Sequence, residues 1–139
     1  MKIDVETINH VGLVVKDWGV AEGFYAGLLG FERVPGRPGW LRLNATNAVH
    51  LIPLGSGESE HPHHRYRHFA LQVADLRPVL GLLLDHGVRA FQIDLQGNER
   101  AVAAKDDPLD FGTGSLFVLD PDGNMIEFLQ LGRGIFAAS

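Results

Sequence analysis

From residue 8 the chain reads INHVGLVVK, an apolar and β-branched run with polar Asn9 and His10 at its start, the pattern of a strand entering a core. Asp17 follows with a side-chain oxygen suited to capping a helix. Through WGVAEGFYAGLLG the apolar positions Val20, Phe24 and Leu28, together with Ala21 and Tyr25, recur at three- and four-residue spacing. Gly30 then offers the left-handed position at which helices commonly end. The short runs FERVP, GWLRLNA and NAVHLIPL read as three strands of a meander, separated by Pro35-Gly36 and by Asn44 to Asn47.

Gly55 to Arg65 is rich in Gly, Ser, Glu, Pro and His and reads as a linker or a binding loop. Beyond it the order of elements returns. YRHFALQVA is a strand, Asp75 a cap, LRPVLGLLLDHG a helix ending on Gly87, VRAFQI a strand, and GSLFVLD with NMIEFLQL a hairpin closed by Pro121-Asp122-Gly123. Laying INHVGLVVKDWGVAEGFYAGLLGFE over YRHFALQVADLRPVLGLLLDHGVRA keeps the capping Asp, the apolar face and the helix-ending Gly nearly in register. The expected fold is α+β, two tandem βαβββ modules over about 6–54 and 66–132. Loop 55–65 joins them into a single domain over 1–139, with curved mixed sheets around a cleft.

Composition narrows the function. Hydrophobic residues make up 45% and charged residues 21% of the 139, enough to bury a core. The net charge of −5 comes without a basic stripe, which argues against nucleic acid as a partner. No apolar run nears the roughly 18 residues that cross a bilayer, and MKIDVETINH lacks the order of a signal peptide. The expectation is a cytoplasmic protein without a membrane partner. With no cysteine, any metal must be held by His, Asp, Glu or backbone oxygen.

The repeat also supplies candidate chemistry. It sets His10 on His68 and the strand NAVHLIPL on NMIEFLQL, which places His50 on Glu127. Alternate side chains of a strand share a face, so His10 lies with Gly12 and Val14, and Glu127 with Met125 and Leu129. Charge among such neighbours is costly unless paired or bound to a cation, and a divalent ion ringed by His10, His68, Glu127 and His50 answers that cost. Taken singly, a His at the start of a strand is more often a hydrogen-bonded structural residue, and a Glu in a hairpin a solvated one. Four groups at repeat-equivalent positions change that balance. His50 is read either as a ligand or as an acid or base beside the ion, and Glu127 as the other proton-transfer group.

Other polar groups carry less. His61, His63 and His64 flank Pro62 in a polar loop. Asp106, Asp107 and Asp110 follow no EF-hand order, and the stretch from Gly97 to Gly114 reads as a loop over the pocket. Its Arg100 and Lys105 either meet an anionic substrate or are simply solvated. Asp120 and Asp122 have turn chemistry. Trp18, Trp40, Phe24 and Tyr25 either line a pocket or pack in the core, the second being the safer reading for any one of them.

These residues resemble the vicinal-oxygen-chelate superfamily, which includes glyoxalase, methylmalonyl-CoA epimerase, fosfomycin-resistance transferases, extradiol dioxygenases and bleomycin-binding proteins. The resemblance runs from INHVGLVV to LFVLDPDGNMIEFLQ, whose DPDGN turn followed by Glu127 is its most specific piece. Metal-using members carry His at the positions of His10 and His68 and Glu at that of Glu127. The position of His50 varies, and glyoxalases and epimerases usually have Glu or Gln there. The resemblance implies a divalent metal cofactor (Zn, Ni, Co, Mn or Fe) and a small-molecule substrate whose neighbouring oxygens meet the ion. Stabilising an enolate or oxyanion on those oxygens would support an isomerase or lyase. It leaves open an iron(II) extradiol-type dioxygenase and a non-catalytic binding or resistance protein. In similar single-chain members two copies commonly combine, which implies a homodimer and leaves open whether the ligands of one site come from one chain or from two.

Overall fold

The computed structural model describes residues 4, 6–55 and 67–133. Contacts divide the chain into two compact units, residues 1–62 and 63–139. His61, His63 and His64, and nearly all of the expected linker, lie outside the described residues.

In the first unit β1 (His10–Val15) leads into α1 (Trp18–Glu22), followed by β2 (Glu32–Arg33), β3 (Trp40–Arg42) and β4 (Ala48–Pro53). Asp17 caps the helix as expected, its side chain accepting from the Val20 N–H at 3.0 Å. The strands lie in the order β1-β4-β3-β2, with β1 and β4 parallel and the other pairs antiparallel. Leu13, Val15, Leu41, Val49 and Leu51 point to one side and are buried, as are Ala21, Phe24 and Tyr25 of the helical segment.

The helix departs from the expected α-helical repeat. After Glu22 it widens into a π-helical segment over Gly23–Leu28, in which the Leu29 N–H donates to the Phe24 carbonyl five residues back at 2.9 Å. Asp17 and Gly30 are thirteen positions apart, whereas Asp75 and Gly87, their equivalents in the second unit, are twelve apart. The wider turn takes up the extra residue.

The second unit runs β5 (His68–Val73), α2 (Leu76–Asp85), β6 (Ala90–Ile93), β7 (Glu99–Val102), β8 (Leu116–Leu119) and β9 (Met125–Gln130). Asp75 caps α2 through the Arg77 N–H at 3.0 Å, and Gly87 takes φ 69°. The sheet order is β5-β9-β8-β6-β7, again with only the first pair parallel. Without β7 this is the order of the first sheet, so the expected repeat of βαβββ modules is present. β7 corrects the expectation of one long loop over 97–114. It pairs with β6 through a turn in which Asp94 Oδ1 accepts from the Gln96 and Asn98 N–H groups at 3.0 and 2.8 Å. Leu76, Leu80 and Leu83 of α2 are buried, as are Leu116, Val118, Ile126 and Phe128 of the sheet. Among the described residues no helix is long and apolar enough to cross a membrane.

Candidate functional site

Strand register decides where the candidate residues fall. In the second sheet Ala70 is opposite Glu127 and His68 opposite Met125, so both side chains leave the same face of the parallel β5–β9 pair. His68 Nε2 lies 2.9 Å from Glu127 Oε1. The other carboxylate oxygen, Oε2, accepts from the Ser115 hydroxyl at 2.6 Å, and Ser115 Oγ is 3.0 Å from Thr113 Oγ1. His68 is therefore joined to a carboxylate held on both oxygens.

Beside this group opens a pocket of about 430 Å³, within the roughly 300–1,000 Å³ usual for small-molecule sites. Its floor is apolar: Phe117 and Met125, with Phe91 and Ile93 packed against them. The rings of Phe91 and Phe117 are stacked with centroids 6.0 Å apart. His68, Thr113 and Glu127 form the polar end, and the β6–β7 turn from Asp94 to Gly97 forms a rim. Burial acts to raise the Asp94 carboxyl, but hydrogen bonds from the Asn98 side chain and from the Asn98, Gln96 and Gly97 N–H groups outweigh it and hold Asp94 below the usual carboxylate range.

The first unit holds the other two candidates. Gly12 and Trp40 both stand opposite His50 in the register, which puts His10, His50 and Trp40 on one face of their sheet. The indole of Trp40 stacks on His50 at 4.1 Å and 8°, and meets the His10 ring edge-on at 4.7 Å. The two imidazole centroids are 6.4 Å apart, and His10 Nδ1 is 2.9 Å from Asn9 Oδ1. Of the two tryptophans, Trp40 is half-buried against two imidazoles and Trp18 is exposed, so neither packs in the core. Phe24 and Tyr25 are core residues, as expected.

The donors thus come as two pairs, and among the described residues no group of three or more His, Asp or Glu is gathered as a metal cage. The His68–Glu127 pair, hydrogen-bonded here, fits an ion by its donor chemistry, an imidazole nitrogen beside a carboxylate oxygen, and its spacing is compatible with one. Two adjacent ligands of an octahedral ion with bonds of about 2.1 Å stand about 3.0 Å apart, and the observed separation is 2.9 Å.

The expected cations serve the scaffold. Arg100 donates to the Pro108 carbonyl at 2.7 Å and to Gln92 Oε1 at 3.3 Å, and Lys105 pairs with Asp85 at 2.6 Å. Asp107 accepts from the N–H groups of Ala103 and Ala104, both at 3.0 Å. Asp120, 5% exposed, accepts from the Asp122 and Asn124 N–H groups and so closes the β8–β9 turn, as its turn chemistry suggested. Sequence reasoning missed Ser115 and Thr113. The signal available for Ser115 was a small hydroxyl residue two positions before Phe117, the residue opposite Glu127.

The profile of the Glyoxalase/Bleomycin resistance protein/Dioxygenase superfamily matches residues 7–128. Comparison with curated protein sequences gives no match. Among solved structures, Oxidase ChaP-H2 is similar at a TM-score of 0.67 and 17% identity, over 96% of this chain and 100% of that one. TnmS3, an antibiotic binding protein from Streptomyces sp. CB03234, has a TM-score of 0.61 and 22% identity, over 93% and 98%. An integron cassette protein from the mobile metagenome of Halifax Harbour Sewage Outfall has 0.62 and 21%, over 91% and 100%. At such identities the likeness concerns the fold. The family match over nearly the whole chain, on a sheet order that occurs twice, assigns the protein: it belongs to the Glyoxalase/Bleomycin resistance protein/Dioxygenase superfamily.

Proposed function

We propose that the chain is a divalent-metal-dependent enzyme of the glyoxalase-like type, an isomerase or lyase acting on neighbouring oxygens of a small organic substrate. The observation that carries this reading is the His68–Glu127 pair at 2.9 Å, standing at the polar end of an apolar pocket. His10, His50, His68 and Glu127 are the residues that would hold the ion. When bound, it would act as a Lewis acid that stabilises negative charge developing on substrate oxygen. Phe117, Met125 and Ile93 take the apolar part of the substrate and exclude water from the polar end. Glu127, at the edge of that space, receives the substrate proton, a role that His50 would fill where its ring is not a ligand. In this reading both modules belong to one domain and the protein works in the cytoplasm.

The test is elemental analysis of untagged protein alongside His10→Ala, His50→Ala, His68→Ala and Glu127→Ala. About one divalent ion per chain, lost in His68→Ala and Glu127→Ala, is expected, and retention in His10→Ala or His50→Ala would strike that residue from the ligand set. Iron as the metal would favour a dioxygenase. No ion taken up even when offered would overturn the reading. It would leave a small-molecule binding protein, which the Phe91–Phe117–Met125 floor also supports. The same proposal has two copies pairing along their sheet edges, since β1 and β5 end their sheets. Light scattering that finds a monomer carrying one ion per chain would remove it.

A further inference from the structure

Each candidate residue on a hairpin strand has an aromatic ring directly opposite it: Trp40 opposite His50, and Phe117 opposite Glu127. The two rings cannot serve alike. Trp40 stacks on the His50 imidazole and so fixes its plane. The face of a phenyl ring carries negative charge density and repels a carboxylate, so Phe117 cannot orient Glu127 in that manner. Something else must set the plane of the carboxylate.

We infer that Ser115 is the positioning residue that aims Glu127, through the carboxylate oxygen turned away from His68, with Thr113 fixing the direction of the Ser115 hydroxyl. The inference rests on Glu127 being a metal ligand. The Ser115–Glu127 separation of 2.6 Å falls in the range of about 2.5–2.7 Å found for a hydroxyl donating to an ionised oxygen. An ionised carboxylate only accepts, so the single Ser115 proton is used on Glu127. Ser115 Oγ is then left as an acceptor, and Thr113, 3.0 Å away, donates to it. The order Thr113 to Ser115 to Glu127 is thereby fixed. Holding Oε2 sets the plane of the carboxylate and with it the direction of Oε1 toward His68.

Ser115 is itself held by buried structure. It is 1% exposed, and its carbonyl accepts from the side chain of Gln92, which is 0% exposed. Thr113 stands between Gly112 at φ 64° and Gly114 at φ 80°, two left-handed positions that turn the chain sharply just before β8. A hydroxyl placed by this backbone is pre-organised, whereas one on an unsupported loop would lose rotational freedom on each engagement.

The experiment titrates metal-stripped protein with Zn²⁺ against a chromogenic chelator, for wild type, Ser115→Ala, Thr113→Val and Ser115→Thr, with a urea unfolding curve for each. Ser115→Ala is expected to weaken Zn²⁺ about ten- to a hundredfold, Thr113→Val several-fold, and Ser115→Thr to restore binding to within about threefold. The urea midpoints should not follow that order, because a merely structural role would move stability and leave affinity alone. Ser115→Ala binding Zn²⁺ as tightly as wild type would overturn the inference while leaving Glu127 as a ligand. Thr113→Val, an exposed substitution that will fold, overturns the chain of hydroxyls if its affinity is unchanged. Wild type that takes up no Zn²⁺ would overturn the reading of Glu127 beneath it.

Discussion

Replacing Gly112 by Ala tests how firmly the backbone before β8 is built. A Cβ on Gly112 would lie 2.1 Å from the Ile93 carbonyl oxygen and 2.9 Å from its carbon, so the obstacle is backbone and not a side-chain tip that can swing aside. The residue also sits at φ 64°, which costs alanine about 1 kcal/mol or slightly more. Forcing the end of β6 away from the new methyl adds about 1–3 kcal/mol, the usual range for overpacking. The total is a loss of about 2–4 kcal/mol. Gly87→Ala is the matched control: it has nearly the same φ, 69°, with nothing within 4 Å of its added Cβ, and should lose only about 1 kcal/mol. Urea unfolding followed by circular dichroism separates the two. With a slope of roughly 2 kcal/mol per M, Gly112→Ala should lower the midpoint by about 1–2 M and Gly87→Ala by about 0.5 M. Equal shifts in the two variants would refute the claim that close backbone contact, beyond the left-handed angle, is what requires glycine at 112.

Asp107 is held below the usual carboxylate range by the N–H groups of Ala104 and Ala103, which outweigh its desolvation, with Arg100 and Arg77 adding to the effect. A depressed folded-state value means that its contribution to stability is complete above the ordinary Asp range and is lost as pH falls through the lower value. The protection of the Ala103 and Ala104 amides, taken as their exchange rates relative to the unstructured chain at the same pH, should therefore fall only below the ordinary Asp range, and a loss of protection near neutral pH would contradict the assignment. Gln92→Leu leaves the Ser115 carbonyl and the Phe111 N–H without their buried partner and should cost about 2–4 kcal/mol in unfolding experiments. Asp120→Ala removes the acceptor of the β8–β9 turn and should cost about 2 kcal/mol; no loss would mean that Gly123 alone directs the turn.

Much of the frame was legible because its signals are local. Asp17 and Asp75 cap helices, Gly87 ends one, and Asp120 to Asn124 bends a hairpin, each through chemistry confined to a few neighbouring residues. The repeat then paired His10 with His68 and His50 with Glu127, and the sheet orders agree with it. β7 escaped because Glu99 to Val102 has a single fully buried anchor, Val102, and no apolar alternation. Its turn was nonetheless in view: Asp94-Leu95-Gln96-Gly97-Asn98 has the spacing of Asp120-Pro121-Asp122-Gly123-Asn124, and in each the Asp carboxylate accepts from the backbone N–H and the side-chain amide of the Asn four residues on. The π-helical turn was hidden because apolar residues at three- and four-residue spacing do not tell hydrogen bonds four residues back from those five back. Ser115 was hidden because its role depends on which residue lies across the sheet.

The widened turn at Gly23–Leu28 bears on how the two halves came to differ. One extra residue inside β1 would have turned every later side chain to the opposite face, and His10 would have lost its place beside Trp40. Lodged in the helix, the same residue is absorbed within a single loop of backbone before β2 begins, and the register of β1 against β4 is untouched. A shortened variant lacking Gly27 should therefore regain a regular helix without disturbing the strands. In a duplicated frame the helices are where length can drift, while the strands that carry the imidazoles and the carboxylate must keep count.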